Sequence, residues 1–132
     1  PPGFSYRVIS RAGEAMDDGF IAPDKFDGMG CFPLGGHRVA LVRNHELKPE
    51  DIAKARGPAG DDARLQQRLL TNLHFGRDQS GAVLPGGTST LVYNLRTGQR
   101  EREYLSLVGT AVNCAGGATP WGSWLTCEES VL

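Results

Sequence analysis

Ser89-Thr90-Leu91-Val92-Tyr93-Asn94-Leu95, Arg96-Thr97-Gly98-Gln99 and Arg102-Glu103-Tyr104-Leu105-Ser106-Leu107 follow one another as strand, turn and strand. The outer segments are rich in β-branched and aromatic residues, which pack well on a pleated surface, and the Gly-containing turn between them predicts an antiparallel hairpin. Upstream, Arg38-Val39-Ala40-Leu41-Val42-Arg43 is apolar at its centre and reads as a strand buried on both faces. Tyr6-Arg7-Val8-Ile9-Ser10 reads as a further short strand, and Gly19 to Met29, with Pro23, Asp24 and Asp27-Gly28, as a long loop. The last strand is Trp121 to Cys127, entered from a turn at Gly116-Gly117-Ala118-Thr119-Pro120.

One stretch has another texture. Pro49 to Ala55 and Asp61 to Leu70 suit short helices, the second with Leu65, Leu69 and Leu70 on one side, so a small helical insertion is expected over about residues 49–80. The sum is an all-β chain of about six short strands, of the kind that builds sandwiches or propellers.

Composition agrees with many tight turns in a folded domain. Eighteen glycines and eight prolines in 132 residues approach the level of disordered chains, but an apolar fraction of 39% supplies a core. With 14 basic and 15 acidic side chains and no basic run, the chain carries no nucleic-acid footprint. Its apolar stretches are too short to span a bilayer. The sequence opens on Pro1-Pro2 rather than Met and stops directly after its most chemically loaded strand. It is therefore expected to be a truncated piece of a longer protein, with a targeting peptide among what preceded it. The competing expectation is a small self-contained β domain that binds a ligand.

The chemistry concentrates in two places. Alternation along the strand puts Asn44 and Glu46 on one face and His45 on the other; an amide oxygen beside a carboxylate suits a hard cation such as Ca²⁺, or else the two sit in a solvated strand end. In Cys127-Glu128-Glu129 an extended backbone puts Cys127 and Glu129 on one face and Glu128 on the other. A thiolate with carboxylates can hold a transition metal such as iron; the bland alternative is a packed cysteine followed by solvated glutamates. Asn113-Cys114-Ala115-Gly116-Gly117 offers either an anion-binding nest or an ordinary turn, and reads as the turn. Cys31, Cys114 and Cys127 include no CxxC, so a zinc ribbon is not expected, and three cysteines cannot all pair within one chain.

These blocks resemble a known family. Asp27-Gly28-Met29, Arg43-Asn44-His45-Glu46, Gly86-Gly87-Thr88-Ser89-Thr90-Leu91 and, above all, Asn113 to Glu129 are similar to the PhoX-type alkaline phosphatases, also called the DUF839 family. The resemblance covers essentially the whole chain and is weakest over the helical insertion. It implies a partial β-propeller, the N-terminal blades of a single domain to which residues 1–132 belong. It further implies a phosphomonoesterase acting on phosphate monoesters, periplasmic or extracellular, monomeric when full length, with iron and calcium as cofactors. On this resemblance Cys127 matches an iron-binding thiolate, and Glu128, Glu129 and Glu46 match metal ligands. Asn44, His45 and Asn113 are expected to order those ligands or to contact substrate. The family's other ligands would lie downstream, so the 132-residue chain alone is expected to be inactive. The alternative function is a non-catalytic or differently catalytic propeller of the same family.

Overall fold

The computed structural model describes residues 1–71 and 74–129. Four antiparallel strands form one sheet in the order β1 (Phe26–Gly35), β2 (Arg38–His45), β3 (Gly86–Asn94) and β4 (Gln99–Thr110). A second, two-stranded sheet pairs β5 (Asn113–Ala118) with β6 (Trp124–Glu128). A four-stranded antiparallel meander followed by the opening hairpin of another is the form of one propeller blade and the start of the next. The chain is thus mostly β, with blade-like sheets of a partial propeller.

The hairpin expected from Ser89 to Leu107 is present, pairing Asn94 with Gln99. Its turn is fixed by Asn94, whose Oδ1 accepts the N–H groups of Arg96 and Thr97 at 3.0 and 3.1 Å. A side chain that mimics a backbone turn is the usual service of Asn in this position. The expected central strand is β2, paired in unbroken register with β3 from Arg38↔Asn94 to His45↔Gly87.

Three expectations are corrected. Tyr6 to Ser10 forms no strand; it crosses the sheet, and Ser10 Oγ donates to Glu103 at 2.6 Å. The loop expected to Met29 gives way at Phe26 to β1, which pairs with β2 through a two-residue turn at Gly36-His37, both with positive φ. Glycine and Pro33 obscure β1 in the sequence, yet an edge strand tolerates both. Gly28 and Gly30 also have a reason: a Cβ at Gly28 would lie 2.7 Å from the Cys114 carbonyl oxygen, and one at Gly30 2.7 Å from the Trp124 ring. Their bareness lets the second sheet lie directly on β1. The third correction is β5, a paired strand across the stretch read as a turn.

Both helices fall between β2 and β3: a short 3-10 helix, Pro49–Lys54, and α1, Ala63–Thr71. Asp62 caps α1 by accepting the N–H of Arg64 at 2.8 Å. Leu69 is buried, and Leu65 and Leu70 pack beside it against Met16, Phe20, Val83 and Val108. The apolar core therefore lies under the helical segment and the end of β4. The junction of the two sheets is held differently. No helix among the described residues is long and apolar enough to cross a membrane.

Gly87 tests the β3–β4 pairing. At φ +148°, a Cβ there would overlap the Leu107 carbonyl. Gly87→Ala is expected to lower unfolding free energy by about 2–4 kcal/mol in urea titrations; an unchanged midpoint would show that β4 does not run against β3 here.

Candidate functional site at the junction of the sheets

Asn44, in the last turn of β2's pleat, is fully buried and faces the second sheet. Its Nδ2 donates to the carbonyls of Cys114 and Ala115 at 3.2 and 2.8 Å. Its Oδ1 accepts Trp124 Nε1–H at 3.0 Å and the Thr126 hydroxyl at 2.9 Å. An amide has two donors and two lone pairs, so every position is taken within the protein. Buried Asn113 extends the chain: its Nδ2 donates to Thr126 Oγ1 at 2.9 Å and its Oδ1 accepts the Thr110 hydroxyl at 2.7 Å.

Trp124 and Thr126 stand two residues apart and point inward from β6. Glu128 continues that face, its Oε1 accepting the Ala111 N–H at 2.7 Å. Alternation turns Cys127 the other way, and it is exposed, a free thiol. Glu129 is exposed, with its N–H donated to the Val112 carbonyl at 3.0 Å. Val112 in turn donates to the Leu47 carbonyl at 2.8 Å, so backbone bonds fasten the exits of β2 and β6 to the entry of β5. Glu46 lies at this same end, half-buried, its N–H donated to the Lys25 carbonyl at 2.9 Å.

The two motifs far apart in sequence are thereby brought to one end of the sheet junction, though not into a cluster. Strand β2 stops at His45, and the Leu47 N–H folds back to the His45 carbonyl at 2.8 Å, so the alternation expected to align Glu46 with Asn44 ends there. Among the described residues no three His, Cys, Asp or Glu side chains are grouped as a metal ion would need. The carboxylates of Glu46 and Glu129 and the thiol of Cys127 nonetheless keep their lone pairs free of hydrogen bonds from the described residues.

His45 belongs to a second, buried network that sequence reasoning missed. Its Nδ1–H donates to the Asp24 carbonyl at 3.0 Å, which fixes the tautomer, and its Nε2 accepts from Ser89 Oγ at 2.8 Å. Ser89 accepts from Arg43 Nη2 at 3.0 Å, and the same nitrogen meets Glu103 Oε1 at 3.0 Å. Arg100 reaches the other oxygen of Glu103. The Arg43 guanidinium lies 3.6 Å over the Phe26 ring, and its Nε has no hydrogen-bond partner among the described residues. A serine hydroxyl on an imidazole resembles a nucleophile and its base, but both are buried, so no substrate reaches them. Burial, reinforced by the charge of Arg43, pushes the His45 pKa down to about 4 and keeps the ring neutral. In the sequence, Ser89, Arg43 and Glu103 were ordinary strand positions, and nothing local announced their meeting.

A family model described as alkaline phosphatase PhoX matches residues 1–92 and 77–132. No curated protein and no solved structure matches.

Two measurements check this geometry. Asn44→Ala removes four hydrogen bonds and strands Trp124 Nε1, and is expected to cost about 3–4 kcal/mol in urea unfolding with a shift in tryptophan emission; loss below about 1 kcal/mol would contradict the clasp. His45 binds its proton more tightly unfolded, at about 6.5, than folded, at about 4. Stability is therefore full above pH 6.5 and falls as pH drops towards 4, by about 3 kcal/mol. The difference in unfolding free energy between wild type and His45→Gln should narrow across that window, and a difference independent of pH would contradict a buried neutral imidazole.

Proposed function

This chain belongs to the PhoX family of alkaline phosphatases, and we propose that it carries the first part of the metal centre of a secreted phosphomonoesterase. Cys127 holds iron, Glu46 and Glu129 hold iron or calcium through their unengaged carboxylates, and further blades supply the remaining ligands. The observation that carries this reading is the placement of Cys127: an exposed thiol with no partner among the described residues, on a strand whose opposite face is locked down by Asn44, Asn113 and Ala111. A cysteine kept only for packing is normally buried among apolar side chains.

The donor chemistry fits. A soft thiolate selects a transition metal, and carboxylates suit a hard cation as well. Glu128 fits less well, because one of its oxygens is engaged by Ala111; its second oxygen accepts no hydrogen bond from the described residues. Bound metal would neutralise the phosphate and polarise its oxygens, as metals do in phosphoryl hydrolysis. The chain's own part is positional. Asn44 holds β6 through Trp124 and Thr126, which sets the direction of Cys127, and Asn113 braces Thr126 from the other side. Buried His45 stiffens the end of β2 that carries Glu46. The substrate is a phosphate monoester and the location periplasmic or extracellular. The unit is a monomeric propeller closed by blades packed on the exposed apolar residues of β1 and β6, among them Met29, Leu34 and Leu125.

One observation favours a second reading, a non-catalytic or differently catalytic propeller: the described residues gather no three metal-binding side chains. Metal content separates the two. In the intact protein, Cys127→Ser is expected to lower bound iron and phosphatase turnover together by at least about tenfold, with the fold retained, because a hydroxyl is a poor substitute for a thiolate. Elemental analysis and hydrolysis of an aryl phosphate read both, and unchanged iron with unchanged turnover would return Cys127 to a solvent-facing residue without a role.

A further inference from the structure

We propose that Cys114 and Cys127 form a cross-strand dithiol that closes to a disulfide by exchange with a small-molecule disulfide. The register places them. Asn113 pairs with Glu128 and Gly116 with Thr126, so two residues of β5, Cys114 and Ala115, stand against the single residue Cys127 of β6. This is a β-bulge, and both cysteines turn away from the face occupied by Asn113 and Glu128. The Cys114 side chain already leans across the hairpin, its Sγ–H directed at the Cys127 carbonyl at 3.9 Å. Cys114 and Cys127 thus face one another across the bulge rather than in strict register, and a disulfide spans Cα atoms roughly 4.4–6.8 Å apart, a range that includes facing antiparallel residues.

Exposure assigns the roles. Cys127 is exposed and Cys114 half-buried, so the Cys127 thiolate attacks the incoming disulfide, forming a mixed disulfide and expelling one thiolate. Cys114 then gives up its proton, attacks the Cys127 sulfur and expels the second. One disulfide forms in the protein, and the two electrons and two protons leave on two small thiols. Cys31 lies on β1, opposite Leu41, and takes no part. Closure would remove the thiolate proposed to hold iron; that consequence rests on the metal reading, whereas the dithiol does not.

The test treats reduced, metal-free intact protein with oxidised glutathione, blocks the remaining thiols and maps the peptides by mass spectrometry without reduction. A Cys114–Cys127 bridge is expected, with the free thiols among residues 1–132 falling from three to one. Cys114→Ser is expected to stop with glutathione held on Cys127, and Cys31→Ser to bridge as wild type. Glutathione accumulating on wild-type Cys127, or a bridge to Cys31, would overturn the proposal. Iron uptake by bridged and reduced protein is compared separately: a bridge that leaves uptake unchanged refutes Cys127 as the iron ligand while the dithiol stands.

Discussion

The side-chain amide of Asn44 joins the two sheets, and the direction in which β6 turns Cys127 depends on it. It donates twice to the backbone of β5 and accepts twice from side chains of β6. Hydrogen bonds are directional where apolar contacts are not, so a saturated amide sets the register and rotation of the hairpin against β2. Trp124 and Thr126 are thereby drawn inward. Since side chains alternate along a strand, Cys127 must then face outward.

This arrangement explains why the apolar core lies elsewhere. Met16, Phe20, Leu69, Val83 and Val108 gather beneath the helical segment, while the sheet junction is made of amides, hydroxyls and one indole. Beside it, the buried Arg43–Glu103 pair, with Ser10, Ser89 and Arg100, secures β2, β3 and β4 to one another. Such a pair adds little net stability over an apolar substitute, but breaking it strands a buried charge at a cost of about 3–5 kcal/mol. A junction built this way disfavours alternative registers and holds the residues at its end in a fixed direction.

Much of this was legible in the sequence. Alternation and β-branched residues marked β2, β3, β4 and β6, and the leucine spacing marked α1. Strands β1 and β5 were hidden because Asp27-Gly28, Pro33 and Gly116-Gly117 carry turn chemistry, and their glycines serve close packing between sheets that no local signal reveals. The motifs Asn44-His45-Glu46 and Cys127-Glu128-Glu129 stood out by residue type. Their meeting at one end of the junction did not, because it is made by pairing across about eighty residues. The roles of Asn44 and His45 were equally hidden: both have the chemistry of a ligand, and each spends it on neighbours that only the folded chain supplies.

The central claim is that the Asn44 clasp presents Cys127 as a metal ligand. X-ray absorption at the iron edge of the intact protein tests it most directly, because sulfur scatters distinctly from oxygen and nitrogen in the first coordination shell. A sulfur neighbour in the wild type, absent from Cys127→Ser and reduced in Asn44→Ala, is the predicted result. Bound iron with a first shell of oxygen and nitrogen alone, identical in all three proteins, would contradict the account.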